Sequence, residues 1–85
     1  MLIEPKSIGI RSRIKILKKD DLIIIEIDRK SRIIMKDAEK IRSNVDIIKN
    51  NFNLPVELHT SAPVCSKTRA YLEKENIRVV YLGDK

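Results

Sequence analysis

The stretch from Leu54 to Leu82, LPVELHTSAPVCSKTRAYLEKENIRVVYL, limits the fold more than any other part of the chain. It reads as a strand (VELHT), a loop (SAPVC), a helix (SKTRAYLEKEN) and a second strand (IRVVYL). Two short apolar runs separated by a helix make a βαβ unit, whose strands lie parallel and adjacent. Sheets of that kind bind ligands where a strand's carboxyl end meets the amino end of the next helix. In this chain that corner runs from Thr60 to Lys67. Ser66 is the expected N-cap of the helix, and Asn76 the left-handed residue beyond its end.

Upstream, Ile8 to Leu17 alternates. Ile8, Ile10, Ile14 and Ile16 share one face, and Arg11, Arg13 and Lys15 share the other, the period of a half-buried strand. Lys18-Lys19-Asp20-Asp21 is a polar break. Leu22 to Asp28 is the next strand, and LIIIEID is apolar on both faces at its start, as a central strand is. A hairpin closed over Lys19-Asp20 sets Ile16 opposite Ile23 and Ile14 opposite Ile25. It also sets Arg13 opposite Glu26 and Arg11 opposite Asp28, opposite charges facing across a strand pair.

Arg29-Lys30-Ser31-Arg32 is a basic turn, and Ile33-Ile34-Met35 a short third strand. Asp37 opens a helix whose stripe Ala38, Ile41, Val45, Ile48, Phe52 follows helical spacing. Asp37 and Glu39 suit its positive amino end and Lys49 its carboxyl end, and Pro55 stops any continuation. The fold class is therefore α/β, with a small mixed sheet in the order β-β-β-α-β-α-β. An antiparallel front hairpin is followed by two βαβ crossovers.

Eighty-five residues allow one domain, 1–85, with 1–7 and 83–85 expected to be loose. A chain of this size buries only about 60–65% of its unfolded surface, so a partner subunit would help. Cys65 is the single cysteine, which excludes an internal disulfide and a cysteine zinc cluster. No apolar run approaches a membrane span and no signal peptide is apparent, so a cytoplasmic location is expected. Charge is uneven. Residues 1–36 carry ten Lys/Arg against five Asp/Glu, and residues 37–85 carry eight against seven. The excess thus lies in the front half, which points to a surface facing a polyanion.

The strand IIIEID, the segment RKSRIIMKDAEKIRSNVDIIKNN and the segment HTSAPVCSKTRAYLEKENIRVVYL together resemble the later part of the Mrr-type restriction endonucleases. These belong to the PD-(D/E)xK nuclease superfamily. The resemblance covers roughly residues 8–82, by pattern. It implies a nuclease-like core in which Glu26 falls on the family's Glu or Gln position. Two departures matter: Asp28 stands where the family has Lys, and no carboxylate between Glu4 and Asp20 matches its upstream Asp. The family's leading helix is also absent. An inactive relative is therefore expected, with no catalytic residues, metal or cofactor. The alternative is a Mg²⁺-dependent nuclease using Glu26 and Asp28, since two carboxylates on one strand face suit a hard cation.

The main candidate interface is basic: Arg11, Arg13, Lys15, Arg29, Lys30 and Arg32, with Lys18, Lys19 and Lys36 nearby. Phosphate contacts need only such side chains. Aromatic stacking groups are nearly absent, with only Phe52, Tyr71 and Tyr81, so duplex DNA is the expected partner rather than single strands. Thr60, Ser61, Ser66 and Lys67 form a second candidate, an anion site at the switch point, although no glycine lets the backbone wrap an anion there. Cys65 lies beside that corner without a second thiol, and a buried inert thiol is expected. His59 shares a strand face with Glu57 and lacks a nucleophile to serve. A protein-interaction or homodimer module is the competing function.

Overall fold

Sheet order follows chain order in this protein. A computed structural model describes residues 2–10 and 14–82. Its strands are β1 (Leu2–Ile3), β2 (Lys15–Lys19), β3 (Leu22–Ile27), β4 (Val56–Thr60) and β5 (Arg78–Tyr81), lying side by side as β1-β2-β3-β4-β5. The first three pair antiparallel and the last three parallel. Helix α1 (Met35–Phe52) connects β3 to β4, and α2 (Ser66–Lys74) connects β4 to β5. Both crossovers step in the same direction across the sheet, and crossovers of the usual right hand that do so put both helices over one face. There α1 packs against α2.

The α1 stripe reads as its spacing predicts: Ala38, Ile41, Val45 and Ile48 are buried and Phe52 packs against the core. They meet Ile16, Ile23, Ile25, Val56, Leu58 and Val79 from the covered face of the sheet. Asn53 beyond α1 and Asn76 beyond α2 adopt φ of 52° and 64°, the left-handed conformation that asparagine tolerates at a helix end. Arg42 of α1 reaches Glu75 at the end of α2 at 2.7 Å.

Three expectations are corrected. The lead-in is not loose throughout: Leu2–Ile3 adds an edge strand to β2, and Ile3 is buried. The alternation from Ile8 does not start a strand. Pro5–Ile8 instead coils into a 3₁₀ turn, closed by Gly9 at φ 90°, and β2 begins at Lys15. Proline at the first turn position favours the coil, and glycine supplies the left-handed closure. Ile33-Ile34-Met35 is not a strand either. Ile33 makes one parallel bridge to Val64, and α1 has already begun at Met35.

The hairpin closes two positions away from the expected register. Lys15 lies opposite Glu26, Ile16 opposite Ile25 and Lys19 opposite Leu22. The turn is Asp20-Asp21, with Asp20 at φ 52°. Aspartate tolerates that backbone better than lysine, whose longer side chain cannot bond back to the turn. Arg11 and Arg13, the expected partners of Asp28 and Glu26, lie outside the described residues, as do residues 83–85.

Candidate functional site

The parallel half of the sheet ends at one edge, where three segments converge. The Ser61 amide donates to the Ile27 carbonyl, and the Leu82 amide to the Thr60 carbonyl. The amide of Ile33 donates to Pro63, and that of Cys65 to Ile33. This stitching sets the basic turn after β3 beside the loop that enters α2. The basic turn and the candidate anion corner thus share one edge. Arg32, Pro63, Val64, Cys65, Ser66 and Lys67 line one open hollow. The signal for this was present in the βαβ pattern, since loops that follow parallel strands emerge at the same end.

Within the basic turn the side chains divide. Arg29 is a brace: its guanidinium donates to the Ser31 and Arg32 carbonyls and pairs with Asp37 at 2.6 Å. Asp37 in turn accepts the Ile34 amide at 3.0 Å, which ties down the amino end of α1. That amide hydrogen bond and the Arg29 guanidinium hold the Asp37 carboxyl below the ordinary aspartate range. Lys30, Arg32 and Lys67 are exposed and carry no salt bridge among the described residues. Among the described residues, four of the five exposed large apolar side chains also belong to segments at this edge: Ile34, Met35, Tyr81 and Leu82.

Two of the four residues of the candidate anion corner already have partners within the chain. Thr60 is buried, and its hydroxyl accepts the Ala62 amide. The Ser61 hydroxyl donates to Asp28 at 2.5 Å. Only Ser66 and Lys67 remain at the hollow. The N-cap position of α2 is Cys65, not Ser66, which is the first residue of the helix. Cys65 is half-buried rather than enclosed. Its side chain makes no cap hydrogen bond of regular geometry. The Lys67 and Thr68 amides nevertheless point toward the sulfur and hold the thiol below its ordinary value, with the Arg32 charge a smaller influence. Thr68 is fully buried, and its hydroxyl is the one buried side-chain polar atom among the described residues without a regular hydrogen bond.

The carboxylates of the nuclease reading are separated by their partners. Glu26 pairs with Lys15 at 3.2 Å, and Asp28 takes the Ser61 hydroxyl. Lys15 is therefore a partly compensated cation on the sheet face. No group of three or more His, Cys, Asp or Glu among the described residues is placed to hold a metal ion. His59 and Glu57 touch at 2.9 Å on the same strand face, and Arg78 approaches Glu57 at 3.9 Å. No helix among the described residues is long and apolar enough to cross a membrane. No family model, curated protein or solved structure matches the chain.

Proposed function

We propose that this α/β domain binds nucleic acid, duplex DNA foremost, through the carboxyl edge of its sheet. One observation carries the reading: Lys30, Arg32 and Lys67 gather at that edge with no acidic partner among the described residues. Cations so placed attract phosphates and release counterions on contact. Arg29 serves by shaping the turn that presents Lys30 and Arg32. Arg11 and Arg13 stay within the proposed cationic set on their sequence alone. Of the three aromatic residues, Phe52 and Tyr71 pack against the core and Tyr81 alone is exposed, too few for successive bases to stack upon. The likeness to Mrr-type nucleases enters this reading as a binding scaffold. Hydrolysis is left out of it, because Glu26 and Asp28 are occupied by Lys15 and Ser61.

The test is fluorescence anisotropy with a labelled duplex across a salt series. Log affinity should fall linearly with log salt, by about 0.9 per phosphate neutralised. Replacing Lys30, Arg32 and Lys67 together by Ala should weaken binding for every sequence tried and flatten the salt slope by roughly one for each lost contact. Binding that ignores salt, or none at low ionic strength, would refute the reading.

A further inference from the structure

The helices cover one face of the sheet, and the pairing registers define what lies on the other. Leu2 of β1 is opposite Leu17 of β2, which is opposite Ile24 of β3, which is opposite Glu57 of β4. One step toward the carboxyl edge, Lys15, Glu26, His59 and Val80 form the next row. One step the other way, Lys19 faces Leu22. Directly paired residues share a face, so Leu2, Leu17, Leu22 and Ile24 make one apolar patch on the side away from the helices. None of the four belongs to the main core or packs against it. Ile24 is 7% exposed, while Leu2 is 66% exposed. A sheet face that carries such a patch is an interaction surface in waiting.

The charges across the β2–β3 seam suit a second copy of the same face. They are Lys15 and Lys19 on β2 and Glu26 on β3. Consider two copies stacked face to face about a two-fold axis that runs along this seam, parallel to the strands. Each Lys15 then lies over the partner copy's Glu26, and each Leu17 over its Ile24. The Lys15–Glu26 pair becomes a ring of four alternating charges. An axis across the strands would instead set Lys15 over Lys19, a like-charge contact that the axis along the seam avoids. Like charges facing one another at an interface are strongly disfavoured. Self-complementarity of this kind is what a two-fold interface requires.

We propose that the chain forms a homodimer through this sheet face, with the axis along the β2–β3 seam. Aligned sheets pack about 10 Å apart with their strands about 30° from parallel. Both carboxyl edges then point the same way, so the dimer carries two basic edges on one side. The dimer does not depend on the nucleic-acid reading, and its test uses different residues.

Sedimentation equilibrium should return the mass of two chains for the native protein. Lys15→Glu alone and Glu26→Lys alone should each weaken dimerisation by about tenfold or more, because each sets like charges across the seam. An equimolar mixture of the two variants should regain dimers, since every Glu then meets a Lys of the other chain. Circular dichroism of each variant alone checks that it is folded, and Leu2→Glu, at an exposed edge position, gives a second disruptive change with little risk to folding. A single-chain mass for the native protein at high concentration would overturn the proposal and assign the face to another partner. Dimers that persist in both single variants, or a mixture that stays monomeric, would overturn it equally.

Discussion

Ile33 and Val64 pair through a single parallel bridge, the one contact of strand type between the loop that leaves β3 and the loop that enters α2. Ile33 is fully buried, and the bridge brings Arg32 to the rim of the same hollow as Ser66 and Lys67. The bridge thus joins packing to charge placement: an apolar anchor sets where the neighbouring cations stand.

Ile33→Ala should therefore do more than loosen the core. Deleting a fully buried isoleucine side chain destabilises by about 2–5 kcal/mol, a large share of what a small domain has. Urea denaturation measures the loss. Where the variant remains folded, its duplex affinity should also drop, although no charge has been removed. Unchanged affinity would mean that the basic edge keeps its shape without this anchor.

Asp37 makes stability depend on acid. Its carboxyl is held low by the Ile34 amide and then by Arg29, so the ionised form is favoured in the folded chain. That contribution is fully present above the ordinary aspartate range and is lost as pH falls through the lowered folded value. Asp37→Asn should cost about 1 kcal/mol near neutral pH, the usual scale of a lost helix cap, and should flatten the acid side of the stability curve. Urea midpoints for both proteins across an acid series check the sign: the two curves should converge at the lowest pH.

Cys65 should react as a thiol of lowered pKa. The Lys67 and Thr68 amides act first and Arg32 least. The rate of alkylation by iodoacetamide should rise at a lower pH than for a free cysteine. Arg32→Ala should move that midpoint upward only slightly, because the amides remain. A midpoint equal to that of a free cysteine would remove the helix terminus as a cause.

The parts of this fold that were legible in sequence are those set by long apolar periodicity. The α1 stripe from Ala38 to Phe52 and the βαβ run from Val56 to Tyr81 lie where their spacing puts them. The hairpin register was not legible, for a physical reason. A slip of two positions keeps every side chain on its own face, so Ile16 packs inward whether it meets Ile23 or Ile25. Only the turn backbone decides, and it favours Asp20. The same slip changed the site, replacing an expected Arg13 partner for Glu26 by Lys15. Half of the candidate anion corner is engaged within the chain because small hydroxyl residues find backbone and carboxylate partners next to them. Thr60 and Ser61 both did so, which their sequence positions alone do not reveal. Leu2–Ile3 is too short to show a period, yet two residues suffice to extend an existing strand.

Because strands lie in the sheet in the order they occur in the chain, none must be threaded between two already in place. Each new strand docks on the edge left by its predecessor, and the largest gap between paired strands is one helix and its loops. Such connectivity keeps each loop closure no longer than one helix and its loops require. A nascent chain emerging from the ribosome can therefore lay down its antiparallel front first and add the two parallel strands in turn, with no rearrangement of what has already formed.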